Sequence, residues 1–305
     1  MIVADEDKCT ACGLCVKICH EHCIALIDDT VRINYELCST CTQCIAICPE
    51  QALSWDHVPP VAYDEARLPS PEQLDELFKE RRTSRFFKED KIDRTLLEEI
   101  VGYGIYAPTN NYDLRAIVVD DEEIIEALDQ ILLQFVSRTY KVVFKPKIVF
   151  NLIRRITPAL QLKDKVKMES ALERGHAFHR PPALVFIVGD KRIALSQAST
   201  QYALYNMILY AQVKGIGSCL WGSAEIFLDR SKTARKRLGL QKHEHILGAL
   251  GLGYPAVKFR NKVEGKTLSI QWKGGENLLL RIRKGAQHNN ACESMWFLMA
   301  GKPVI

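Results

Sequence analysis

Short apolar runs alternate with amphipathic stretches along most of this 305-residue chain, and each period predicts a different kind of element. Leu74, Leu77 and Phe78 recur at helical spacing behind Ser70, Pro71 and Gln73, which read as the N-cap, N1 and N3 of a helix start. Leu96, Leu97, Ile100 and Val101 repeat that spacing in a helix predicted at about 93–106. Branched apolar runs predict strands near 115–119, 183–188 and 246–252. A long helix at about 193–213 places Ala198, Tyr202, Tyr205, Leu209 and Gln212 on one face and stops before Gly215. The mixture predicts an α+β fold in which helices cover a sheet. No stretch reaches 18 apolar residues, so no transmembrane segment is expected, and the N-terminus has neither a basic nor an apolar leader region.

The N-terminal segment 1–56 follows another logic. Cys9, Cys12, Cys15 and Cys19 are spaced C-x2-C-x2-C-x3-C, and Cys38, Cys41, Cys44 and Cys48 repeat the pattern in full. Three thiolates at that spacing wrap a corner of a cubane cluster, and the fourth reaches elsewhere. Two separate C-x2-C knuckles would suit zinc, and a disulfide framework belongs to short secreted chains, so two [4Fe-4S] clusters are the reading. In two-cluster ferredoxins the last cysteine of each run serves the other cluster. The assignment is therefore Cys9, Cys12, Cys15 and Cys48 for one, and Cys38, Cys41, Cys44 and Cys19 for the other. His20 stands where Pro49 stands in the second run, which removes a rigid turn residue but no ligand. Loop geometry is where the halves are expected to differ. Cys23 overlays on Ala52 and is expected to fill a small buried position, and Cys292 falls in a tail without a motif.

Charge separates the same two regions. Residues 1–56 carry nine acidic side chains against three basic ones, a formal −6, while the remainder carries 38 basic against 28 acidic, or +10. An acidic electron carrier beside a basic body suggests electrostatic docking, within the chain or onto a partner. Nucleic acid is not the expected partner, since it gives redox clusters no role. A cytoplasmic location, in an anaerobe where exposed clusters survive, is expected.

Beyond a proline-rich connection, four segments carry candidate chemistry. Arg81, Arg82, Thr83, Ser84 and Arg85 follow the first helix, and guanidiniums beside hydroxyls make a phosphate clamp. Ala107-Pro108-Thr109-Asn110-Asn111, Gly215 through Gly222, and Gly251 through Pro255 with Lys258 and Arg260 complete the set. In order and spacing these resemble the FMN-dependent nitroreductase family over roughly residues 72–260. The domain plan is then a bacterial-type 2[4Fe-4S] ferredoxin domain at 1–56, a linker at 57–69, a nitroreductase-like α+β sandwich at 70–262 and a C-terminal extension at 263–305.

By that resemblance Arg81, Arg82 and Thr83 hold the FMN phosphate, with Lys258 and Arg260 completing it, and Arg85 reaches the pyrimidine side of the isoalloxazine. Asn111 hydrogen-bonds the ring, while Gly217, Ser218 and Cys219 offer backbone groups near N5 and O4. Gly217 equally suits a turn after a helix. The resemblance also implies a homodimer. Tyr112, Asp113, Leu114 and Arg115 depart from the family's usual continuation, which alters the substrate side.

Other patterns have quieter readings. Gly102-Tyr103-Gly104-Ile105-Tyr106-Ala107 matches a dinucleotide fingerprint but follows a helical rather than a strand pattern, and no nicotinamide site is otherwise evident. His176 with His179, and His243 with His245, lack converging acidic or cysteine partners and read as ordinary polar residues. Residues 138–167 form a basic insertion with interleaved apolar residues, read as a helical cap with a solvated basic face, with partner docking or an anionic membrane as alternatives.

Two functions are consistent with this plan. One is a ferredoxin-linked flavoenzyme in which the clusters relay electrons to FMN for two-electron reduction of a small organic substrate, fed by an external ferredoxin or another low-potential donor. The other is a non-catalytic electron-transfer subunit that passes electrons to a partner protein.

Overall fold

The computed structural model describes residues 1–108, 114–157, 162–265 and 267–273. The N-terminal part is an internal duplication. Strand β1 (Ile2–Ala4), helix α1 (Leu14–Ile18), strands β2 (Ile24–Ile27) and β3 (Thr30–Ile33), helix α2 (Gln43–Ile47) and strand β4 (Leu53–Trp55) form two antiparallel hairpins, β1 with β4 and β2 with β3. Asp28 and Asp29 both have positive φ, as the two-residue turn joining β2 to β3 requires.

The halves superpose in detail. Ala11 and Thr40, Gly13 and Thr42, and His22 and Gln51 are left-handed pairs, each at the same offset as the paired cysteines. Cys19 and Cys48 end their helices with nearly the same torsions, and each accepts a bond from the amide three positions on, His22 or Gln51, at 3.2 Å. The exchange of Pro49 for His20 therefore leaves the loop unchanged, contrary to the sequence expectation. The turn is held by its backbone bonds rather than by the proline ring.

The larger part is built on a four-stranded antiparallel sheet in the order β5 (Arg115–Val119), β6 (Ala183–Gly189), β8 (His245–Gly253), β7 (Gly217–Leu220). Helices α3 (Pro71–Glu80) and α4 (Arg94–Gly102) precede it. Helices α5 (Glu122–Thr139), α6 (Lys147–Ile156) and α7 (Leu162–Arg174) fall between β5 and β6, α8 (Ser196–Val213) before β7, and α9 (Gly222–Arg230) and α10 (Lys232–Arg237) before β8. Ser70 and Gln73 form the expected capping box of α3.

Both faces of the central strands β6 and β8 are covered, so these two are buried along nearly their whole length rather than alternating. Leu184, Phe186 and Val188 pack with Leu128, Leu132, Phe227 and Leu228 of α5 and α9. Ala183, Val185 and Ile187 pack on the other side with Leu97, Ile100, Leu204 and Met207 of α4 and α8. This is a helix–sheet–helix sandwich.

One expectation needs correction. The helix expected to 106 ends at Gly102 and continues as a 3-10 turn over Tyr103–Tyr106. There Gly104 lets Met207 and Ala203 of α8 approach, because a Cβ would lie 2.3 Å from the Met207 Cε. In α8 Ala198, Tyr202 and Tyr205 are exposed and Leu209 and Gln212 half-buried, while Ser199, Thr200, Ala203, Leu204, Met207, Ile208 and Ala211 are buried. In the basic insertion a π-helical turn at Tyr140–Phe144 leads into α6, and only part of its apolar set is covered. Phe144 and Phe150 are buried, whereas Ile148 is 84% exposed and Ile156 is 74% exposed.

Candidate functional site

The cysteines line two voids. One is bounded by Cys9, Cys12, Cys15 and Cys48, with Leu26, Val31 and Leu53 behind them. The other is bounded by Cys19, Cys38, Cys41 and Cys44, together with Cys23 and Ile24. Each void thus takes three sulfurs from one run and the last sulfur from the other. The same left-handed residues that repeat between the halves curl the loops around these voids, a strained backbone of the kind found where a chain wraps a ligand. Four ligand sulfurs around each void fit a cubane cluster, the first backed by apolar side chains and the second also lined by His20, Glu21, Ser39 and Gln43.

In the larger part, segments far apart in sequence are drawn together by backbone pairing. Thr83 bridges Ser218, and the Ser84 amide donates to the Ser218 carbonyl at 2.9 Å. Phe87 bridges Pro255, the Lys88 amide donates to Tyr254 O, and the Ala256 amide donates to Phe86 O. The stretch after α3 is thereby laid along the edge of β7 and then along the chain leaving β8. It brings Arg82 to the loop that holds Lys258, whereas Arg81, Thr83 and Arg85 do not line the same space.

An open cleft results, lined by Glu80, Arg82, Ser84, Gln212, Gly215 through Ser218, Pro255 and Val257 to Phe259. Ser84 and Ser218 are both buried in its floor. Arg82 donates through Nη1 to the carbonyls of Lys79 at 2.6 Å and Arg81 at 2.8 Å, so it also caps the end of α3. Two glycines here have different tasks. Gly215, at φ 75°, makes the turn after α8, with its amide bonded to Gln212 O. Gly217 allows close approach, since a Cβ there would lie 2.5 Å from the Ser84 Oγ.

The remaining candidates are placed differently. Cys219 is buried, and burial pushes its thiol up to about 11 despite the nearby charge of Arg85. Its side chain is therefore a neutral core group. Burial takes the His179 imidazole down to about 4, and the nearby charges of Arg174 and Arg85 also oppose its protonation. Lys258 and Arg260 are exposed, and only Lys258 is among the residues lining the cleft. Asn111 lies outside the described residues, as does Cys292. Ser84 contributes a buried hydroxyl and backbone to the floor, and Gln212, Val257 and Phe259 line the walls. The sequence reading assigned no role to these last three, because only tertiary pairing brings them to the cleft.

Two families match this chain: the 4Fe-4S dicluster domain over residues 8–60, and the family described as the nitroreductase family over residues 78–254, more than half of the chain. The chain belongs to the nitroreductase family. It is a nitroreductase-family flavin oxidoreductase that also carries a 4Fe-4S dicluster domain. Among solved structures, a nitroreductase with bound FMN from Desulfitobacterium hafniense DCB-2 is 19% identical with a TM-score of 0.50, over 64% of this chain and 97% of its own. A nitroreductase with bound FMN from Bacteroides fragilis NCTC 9343 is 21% identical with a TM-score of 0.49, over 66% of this chain and 99% of its own. An iodotyrosine deiodinase bound to FMN and 3-iodo-L-tyrosine is 18% identical with a TM-score of 0.48, over 66% and 100%. At such identities the likeness concerns the fold. No match is found among curated proteins. In this nitroreductase-family chain no helix among the described residues is long and apolar enough to cross a membrane.

Proposed function

We propose that the cleft between α3, β7 and the segment after β8 binds FMN, and that the two clusters relay electrons to it for the two-electron reduction of a small organic substrate. The observation that carries this reading is the convergence of Arg82, Ser84, Gly217, Ser218 and Lys258 on one open cleft, from three stretches of the chain, in a protein with a dicluster domain. The donor set suits a phosphate monoester. Two cations neutralise a dianion, hydroxyls and backbone amides supply shorter bonds, and the Gly217 gap admits a close approach. Bound FMN supplies the step between one-electron and two-electron chemistry, and the protein's residues hold and orient it.

The domain division that goes with this reading is 1–56 for the clusters, 57–69 as linker, and 70–262 for the flavin. Arg85 with His179 lies toward Cys219 rather than among the residues lining the cleft, and we assign Arg85 to the flavin ring rather than to the phosphate. The protein acts as a homodimer, in which a second copy would cover the exposed tyrosines of α8. Electrons enter from a ferredoxin or another low-potential donor rather than from NAD(P)H. The Gly102–Ala107 segment supports this, since it is a helix end followed by a 3-10 turn in which Gly104 serves close contact with α8, and not a dinucleotide turn. Cofactor analysis of anaerobically purified protein tests the reading: about eight iron and eight sulfide with about one FMN per chain is expected. Iron without flavin after incubation with excess FMN would contradict it.

A further inference from the structure

The two halves of the cluster domain have the same backbone, so what distinguishes their clusters must come from side chains. One such difference touches a ligand sulfur. At residue 52 stands Ala, whose backbone amide donates to the Cys48 Sγ at 3.3 Å. At the equivalent residue 23 stands Cys, 6% exposed, whose backbone amide bonds the Cys19 sulfur in the same way and whose Sγ adds a second contact, 3.3 Å from the Cys19 Sγ. Cys23 lines the second void with Cys19, Cys38, Cys41 and Cys44, so five cysteines surround one void and four the other.

A cluster-bound Cys19 is a thiolate and has no proton to give, so Cys23 is the donor in this pair. A hydrogen bond to a ligand sulfur favours the more negative, reduced state of a cluster and raises its potential. We propose that Cys23 is a positioning residue that raises the potential of the cluster held by Cys38, Cys41, Cys44 and Cys19, and so helps to order the two redox sites. This rests on the reading that the eight motif cysteines hold two [4Fe-4S] clusters. Cys23 is not itself a ligand, because Cys19 occupies the repeat position of Cys48 and a cubane with four irons takes four thiolates. An ordered pair gives the chain a preferred first site for each incoming electron. It leaves the other cluster as the stronger reductant.

The test uses the full chain, purified anaerobically, as wild type, Cys23→Ala and Cys23→Ser. Iron and sulfide content checks the underlying reading, and about eight of each in all three proteins is expected. A wild-type protein that takes up no clusters would sink that reading by itself. Potentials then test Cys23. A redox titration followed by electron paramagnetic resonance is expected to show two waves in the wild type. The upper wave moves down toward the lower one in Cys23→Ala and is largely restored in Cys23→Ser, while the lower wave stays in place. Ala52→Cys is expected to raise the lower wave. Fully loaded Cys23→Ala with unchanged waves, or with both waves shifted together, would overturn the proposal. So would loss of half the iron from Cys23→Ala, which would make Cys23 a ligand.

Discussion

The Ser84 amide donates to the Ser218 carbonyl at 2.9 Å, joining segments far apart in the chain, and this bond with its neighbours seats the arginine segment against the sheet edge. Gly217 makes the approach possible. In Gly217→Ala the new methyl would lie 2.5 Å from the Ser84 Oγ and 2.8 Å from its Cβ, a clash with a buried side chain that has little room to turn. We expect a loss of about 1–3 kcal/mol in stability and a sharp fall in FMN retention, read by thermal unfolding and flavin absorbance. Unchanged retention would mean that the cleft floor does not shape the flavin site.

Lys258 and Arg82 separate charge from architecture. Lys258 is exposed and lines the cleft, so Lys258→Ala is expected to weaken FMN about tenfold, as a lost charge-assisted bond of about 1.5 kcal/mol implies, with iron content unchanged. Arg82→Ala also frees the carbonyls of Lys79 and Arg81, and is expected to lower both flavin affinity and melting temperature. Fluorescence titration and calorimetry on the two variants check this.

The crossed ligand sets have a direct consequence. Since Cys48 faces the void of Cys9, Cys12 and Cys15, Cys48→Ala is expected to damage that cluster and spare the one built on Cys38, Cys41 and Cys44. Iron analysis with resonance spectra of the residual cluster, compared with those of Cys9→Ala and Cys38→Ala, checks it. The Cys48→Ala spectrum should match that of Cys9→Ala.

Glu225 in α9 sets a dependence on pH. Burial pushes its carboxyl up to about 7 from 4.5, against the hydrogen bond from Gln197 and the charge of Lys191. Between pH 4.5 and 7 the folded protein holds a proton that the unfolded chain has released, so this group makes stability fall as pH rises through that window. Glu225→Gln removes the ionisation. It is expected to be more stable than wild type at pH 8, by up to about 3 kcal/mol, with the gain vanishing below pH 4.5. His179 acts in the opposite sense, its lowered pKa costing stability as pH falls from 6.5 toward 4. Melting temperatures across pH 4 to 8, wild type against variant, separate the two.

What the sequence made legible was local. The cysteine spacing is contained in two short runs, and branched residues mark both the edge strand at 115–119 and the strand at 183–188, which is buried on both faces. Helix α8 was not legible in the same way, because its polar and apolar residues are scattered around the helix and its period does not select a face. Its packing is decided by size. Thr200 and Leu204 close on Gly248 of β8, where a Cβ would lie 2.5 Å from Leu204, so the face with small residues goes inward and the tyrosines go outward. Cys23 was readable as a buried position but not as a neighbour of Cys19, since that contact depends on how the turn folds back. The cleft is wholly a product of long-range pairing, which is why Arg82 and Lys258 could be named as candidates but Gln212 and Phe259 could not.

Electron transfer from the clusters to the flavin is the central claim, and anaerobic stopped-flow measures it directly. The intact protein and a truncation beginning near Pro69 are each mixed with reduced ferredoxin, NADH and NADPH, and flavin bleaching is followed against cluster bleaching. Reduced ferredoxin is expected to bleach the clusters first and the flavin next in the intact protein, to bleach the truncated protein's flavin slowly, and to outpace both nicotinamides. Rapid flavin reduction by NADH or NADPH in both proteins, with no advantage from reduced ferredoxin in the intact one, would contradict the account.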